Sequence, residues 1–255
     1  MTDAEGAVYV YGILRSTEAG AISANGVDAS PVRSVEHGAL AALVSDVHTD
    51  ALTAAREVRA HWRVLEEASK DATVLPVRFG TVLPGDAALR ADLLEPQEQR
   101  LGELLGWLAG RVQLSVKGSY DEDALLREIV ARSAAIAALR DRTRALSDEA
   151  GFYDRIRLGE LVATEIMRRR EEDTQRTLDL LEPLAVAARA EPVTAGDAAF
   201  DLAFLVERTR IDAFSGSVVK LGETVGDRIA LRYVGPLPPY SFAEHDPATG
   251  SPTWA

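Results

Sequence analysis

From Val112 to Val234 the hydrophobic period of this chain switches between two and 3.6 residues in a single order: strand, helical region, strand, strand, helix, strand. Val112-Gln113-Leu114-Ser115-Val116-Lys117 alternates cleanly and stops at Gly118, as a strand does. Asp121 to Arg144 carries Leu125, Ile129, Ile136 and Leu139 on a helical period, with acids early and arginines late, as the helix dipole favours. A second long helix is predicted from about Phe152 into the 180s, through Ile156, Leu161, Val162 and Ile166, then Leu178, Leu181 and Leu184; Pro183 kinks it or starts a new segment. A short strand near 191–195 precedes a strand over 198–206, with Phe200, Leu202, Phe204 and Val206 on one face. A helix over 210–224 buries Ile211, Phe214, Val218 and Leu221, and a last strand presents Ile229, Leu231 and Tyr233. That is the βαββαβ order of a ferredoxin-like domain with an enlarged first helical region.

The first half reads as a separate α+β layer. Val8 to Ile13 is a strand with Val8, Val10 and Gly12 on one face and Tyr9, Tyr11 and Ile13 on the other. Residues 16–31 form a loop ending near Pro31, and Val32–Val35 and Leu40–Val44 a hairpin around His37-Gly38. Between Arg56 and Lys70 the spacing of Val58, Trp62, Leu65 and Ala68 predicts an amphipathic helix, with Arg56, Glu57, Arg63, Glu66, Glu67 and Lys70 outward. His61, beside Trp62, reads as a surface or boundary residue. Pro76 and Pro84 confine the strand around Val77 and Phe79 to a sheet edge or a break. Asp86 to Gly110 is two helices, or one kinked near Pro96. The expected organisation is an N-terminal α+β domain over 1–110, a modified ferredoxin-like domain over 111–242 and a flexible C-terminal tail over 243–255.

At 255 residues the chain can bury a sizeable core, and 47% hydrophobic with 27% charged residues is the balance of a folded protein. A net charge of −12 opposes phosphate backbones, so no nucleic-acid partner is expected. The acidic start Met1-Thr2-Asp3-Ala4-Glu5 lacks the basic segment of a secretory signal, and no long uncharged apolar run suggests a membrane span. A cytoplasmic location is the expectation. With no cysteine, disulfides and thiolate chemistry are ruled out.

Histidines stand only at 37, 48, 61 and 245, never at metal-ligand spacing, so no metal or cofactor is expected. Asp46 near His48 reads as a polar turn, and no G-x-S-x-G elbow, Walker loop or G-x-G-x-x-G is present. Arg168-Arg169-Arg170-Glu171-Glu172-Asp173 lies in a stretch, Arg140 to Arg176, with nine arginines and nine acids, the balance of a solvated, ion-paired helix face; the alternative is a face that contacts a partner. Asp201 and Glu207 are the carboxylates that keep an enzyme reading open. The run Gly235-Pro236-Leu237-Pro238-Pro239-Tyr240-Ser241-Phe242 has a path preset by proline and offers Leu237, Tyr240 and Phe242 as apolar contacts, either to a protein partner or as a strap over its own fold.

Four motifs carry a family resemblance: Val8-Tyr9-Val10-Tyr11-Gly12-Ile13, Thr73-Val74-Leu75-Pro76-Val77-Arg78-Phe79-Gly80-Thr81, Leu202-Ala203-Phe204-Leu205-Val206-Glu207-Arg208, and Arg228 to Phe242. Together, and in this order, they resemble the gas vesicle protein F/L family. The resemblance implies an α+β first domain and a modified ferredoxin-like second one. It further implies a non-enzymatic assembly or minor structural protein whose partners are the hydrophobic major gas vesicle shell protein and other gas vesicle proteins. No catalytic residue is carried over with it; Arg78 and Tyr240 lie in the most recognisable motifs. The alternative is a small-molecule-binding or regulatory module on the ferredoxin-like domain.

Overall fold

The computed structural model describes residues 6–47, 55–147, 149–193 and 196–244. Its contacts divide the chain into two units, one comprising residues 1–113 and 236–255, the other 114–235. The chain passes from one to the other after Gln113 and returns after Gly235.

In the first unit β1 (Val8–Arg15) runs antiparallel to β3 (Leu40–Asp46), which pairs with β2 (Arg33–His37). Gly38, at φ 53°, turns the hairpin in a conformation that favours glycine. On its other side β1 pairs with two short strands, β4 (Leu75–Pro76) and β5 (Val82–Leu83), so the prolines do keep this stretch to brief edge pairings.

The β1 register shifts between Val10 and Gly12, where Tyr11 is an extra residue opposite β3. This bulge corrects the alternation expected from sequence. Tyr9, Tyr11 and Leu14 share one core cluster with Leu65 and Val74, and Gly12 faces the same two residues. A Cβ on Gly12 would lie 2.8 Å from Val74 Cγ1 and 3.0 Å from Leu65 Cδ2. Gly12→Ala is therefore expected to cost about 1–3 kcal/mol through overpacking, read as a lower melting temperature; an unchanged melt would show that the layer can yield there.

Helix α1 (Ala55–Asp71) covers that cluster, but its buried stripe is Glu57, Ala60, His61, Val64, Leu65 and Ala68. Val58 and Trp62, expected inside, are more than a third exposed, while Glu57 and His61, expected outside or at the boundary, are buried. The face is rotated because the two polar side chains find partners within the fold. Glu57 accepts the Asp28 backbone N–H at 2.9 Å. A one-turn helix, α2 (Asp86–Ala88), runs into a wider turn at Leu89–Leu94 and then, past Pro96, into α3 (Glu98–Leu108), burying Leu89, Leu94, Leu101, Leu104, Leu105 and Leu108.

The second unit follows β6 (Arg111–Tyr120), α4 (Glu122–Arg132), α5 (Ala134–Ala145), α6 (Phe152–Leu181), β7 (Ala187–Ala190), β8 (Ala198–Glu207), α7 (Ile211–Val225) and β9 (Ile229–Leu237). Its sheet order is β7-β8-β6-β9, the ferredoxin-like arrangement in which the first and third strands are central. The helix expected over 121–144 is two. Ser133 ends α4 and caps α5, its hydroxyl accepting the Ile136 N–H at 3.3 Å, and a serine that can bond the backbone in this way competes with an unbroken helix. The short strand expected at 191–195 lies instead at β7, where alanines pair antiparallel with β8. Phe200, Phe204 and Phe214 fill the core, the last two 5.2 Å apart between ring centroids.

Candidate functional site

The Pro-rich segment after β9 folds back within the first unit. Phe242 is buried and lies 6.2 Å from Trp107, and the Ser241 N–H donates to Gln113 Oε1 at 2.9 Å. The Tyr240 ring rests on Trp62, with centroids 4.9 Å apart, and its hydroxyl is hydrogen-bonded to His61 Nε2. His61 Nδ1 meets the Tyr9 hydroxyl at 2.9 Å, and Tyr9 in turn accepts the Gly80 N–H at 3.1 Å. A neutral imidazole between two phenols uses one nitrogen as acceptor and the other as donor. Burial pushes His61 down to about 4, and burial likewise raises both Tyr9 and Tyr240, so all three stay uncharged near neutrality.

Of the three tail residues singled out from sequence, Phe242 is inside, Tyr240 is half-buried on Trp62 and His61, and Leu237 is half-buried at the end of β9. Phe242 thus reaches a partner only if the tail leaves its own unit. A truncation before Gly235 would remove these contacts together with any docking role, and so cannot separate the two.

The arginine-rich block of α6 is not uniformly solvated. Arg168 bonds Glu165 and Glu172 at the surface, but Arg169 and Asp173 are buried. Asp173 accepts both guanidinium nitrogens of Arg228, at 2.5 and 2.8 Å, and the Tyr120 hydroxyl at 2.8 Å. Arg169 bonds Glu128 at 2.8 Å and Glu165 at 3.2 Å, and Arg228 reaches the same Glu128 at 3.3 Å. Burial acts to raise the Asp173 carboxyl, yet the hydrogen bonds from Arg228 and Tyr120 outweigh it and hold the group below the usual range. Equal numbers of arginines and acids could not show which pair points inward.

Other chemistry does not converge. Asp201 is paired with Lys117 at 2.5 Å, and Glu207 and Arg78 are exposed. The Asp46 and His48 pairing involves a residue outside those described. Among the described residues no group of three metal-ligating side chains assembles, and no helix is long and apolar enough to cross a membrane. A cleft of about 380 Å³ opens between the 18–23 loop and the end of α1, but of its carboxylates Glu67 is held by Ser23 and the Ala24 N–H and Glu18 by the Thr73 N–H.

What sequence reading missed is an exposed apolar ridge on the first half of α6. Phe152, Ile156 and Met167 are 55%, 47% and 60% exposed, and Gly159 and Ala163 continue the line between them. Steps of four, three, four and four residues place these five on one side of the helix, along about 22 Å at 1.5 Å per residue. Tyr153, 83% exposed, packs its ring edge against Phe152. Ile156 reads as core from its spacing, and its exposure corrects that reading.

Among the described residues, the two sheets, the ferredoxin-like strand order and the seven helices define an α+β protein, and solved gas vesicle proteins share that class. The crystal structure of gas vesicle protein GvpF from Anabaena sp. PCC7120 superposes with a TM-score of 0.79 at 29% identity, covering 94% of this chain and 98% of that one. GvpF from Microcystis aeruginosa gives 0.76 at 26% identity, covering 93% and 98%. Gas vesicle protein F of Streptomyces sp. (strain CB03234) is 38% identical over 240 residues, 92% of this chain and 99% of that protein. The pattern of the gas vesicle synthesis protein GvpL/GvpF family matches residues 7–244, and the chain belongs to that family.

Proposed function

We propose that this chain serves gas vesicle formation by holding the hydrophobic major shell protein on the apolar ridge of α6, by binding alone and without catalysis. Family membership supports a gas-vesicle-associated role. The single observation that carries the binding reading is the ridge itself. A chain with a net charge of −12 leaves Phe152, Tyr153, Ile156 and Met167 exposed along one helix, and large aromatic, Ile and Met surface left uncovered by the described residues is what an apolar partner helix or strand would bury. The surrounding charge keeps such a carrier soluble while its cargo is not.

The test is co-expression of the full chain with the shell protein. Ile156→Glu with Met167→Glu is expected to reduce co-purified shell protein by about tenfold or more, since a charge set into a desolvated contact costs several kcal/mol. Because both side chains are exposed, folding should be unaffected within about 0.5 kcal/mol. Undiminished capture by a folded double variant removes the ridge from the reading.

A further inference from the structure

The outer face of α1 has the opposite character to the α6 ridge. Arg56, Arg59, Trp62, Arg63 and Glu66 line a shallow open groove of about 560 Å³. Trp62 is 38% exposed, and Val58, one turn earlier, adds to the same apolar strip. Arg56 is engaged by Glu57 at 2.6 Å, whereas among the described residues neither Arg59 nor Arg63 has a carboxylate partner; Arg63 donates only to the Arg59 carbonyl, at 3.4 Å. In a chain with twelve more acids than bases, a groove lined by three arginines and one glutamate is a local reversal of charge.

The groove is also pre-organised. Trp62 is held from one side by the Tyr240 ring, and Tyr240 is in turn held by the bond to His61. A tryptophan braced by a tyrosine beside arginines is the composition of energetic centres in protein interfaces, because such groups bury much area while giving up little conformational freedom. Arginine in addition offers a planar fork that fits a carboxylate with two bonds.

We infer that this face binds an acidic amphipathic segment of another protein, an apolar side chain seated on Trp62 and Tyr240 and carboxylates bridging to Arg59 and Arg63. The charge selects the occupant: a second copy of this acidic chain is disfavoured overall, and an apolar partner without carboxylates would leave both guanidinium groups unmatched. The surface stands on the first unit and does not depend on the α6 ridge.

The probes are two short helical peptides with the same leucine pattern, one flanked by glutamate and one by lysine, titrated against the full chain by fluorescence anisotropy. The glutamate peptide should bind, and its affinity should fall as salt rises from about 20 to about 300 mM, since exposed charge contacts are screened over that range. Arg59→Glu with Arg63→Glu, and separately Trp62→Ala, should each weaken it by about tenfold or more. Trp62→Ala, in which the basic strip is intact, keeps the test open should the charge reversal disturb α1. Ile156→Glu with Met167→Glu should leave the affinity unchanged. Equal binding of the lysine peptide, no binding of the glutamate peptide, or folded α1 variants with wild-type affinity would each overturn the inference.

Discussion

Asp173→Ala is expected to destabilise the chain by about 3 kcal/mol or more, the largest effect of any single polar substitution considered. Asp173 is 3% exposed and receives two bonds from Arg228, one from Tyr120 and a longer one from Arg176 at 3.5 Å. Removing the carboxylate leaves the half-buried Arg228 with Glu128 as its remaining acid and Tyr120 with no acceptor there. Such a loss costs more than the pair itself contributes, because the cost is dominated by the charge left behind. Urea unfolding of single and double variants separates the two quantities. Asp173→Leu with Arg228→Met should recover at least half of the single-variant loss, since a well-packed apolar pair avoids the desolvation that an ion pair must overcome. If the double variant is as unstable as the sum of its singles, the two residues do not act as a pair, and the network argument fails.

The network also shows where sequence reading stops. The order of strands and helices was legible because period and breakers report on local conformation, and β1, the hairpin, β6, α6, β8 and β9 all stand where alternation or spacing puts them. Orientation was not. Glu57 and His61 face the core and Val58 and Trp62 face water because the decisive contacts come from the Asp28 backbone and from Tyr9 and Tyr240, far away along the chain. The β1 bulge at Tyr11 inverts the face of Gly12 without any mark in composition. Ser133 could have been read as a cap from its type, but it lies in an otherwise continuous helical pattern. Of the candidate tail residues, the Pro-rich path was legible, while the destination of Phe242 against Trp107 required the fold. Ile156, the one ridge residue in the predicted apolar spacing of α6, reads as core because amphipathic spacing says which residues share a face, not whether anything covers it.

His61 makes stability depend on pH in a window that lies for the most part above that of the carboxylates. Its folded value near 4 lies below the ordinary 6.5, and burial is the cause. Above pH 6.5 neither state binds the proton and the group contributes nothing to the slope. Between 6.5 and about 4 the unfolded chain takes up a proton that the folded chain refuses, so stability falls as pH falls, by about 3 kcal/mol across the window. Below 4 this group adds no further loss. Glu57, Glu165 and Asp173, each held below the usual carboxylate range, contribute stability that is present above their unfolded values and is lost as pH falls through and below those values, so a scan that stops at pH 4.5 reads His61 chiefly. Urea midpoints measured from pH 7 to 4.5 should therefore fall in the wild type and fall much less in His61→Gln. Tyr240→Phe supplies the discriminating control. It removes the hydroxyl that meets His61 but keeps the ring on Trp62, so it should cost about 1 kcal/mol at every pH and leave the slope in place, because the shift arises from burial rather than from that bond. Parallel curves for wild type and His61→Gln would show that the imidazole is reached by water, and that the tail lies less closely over α1 than the Tyr240 contacts indicate.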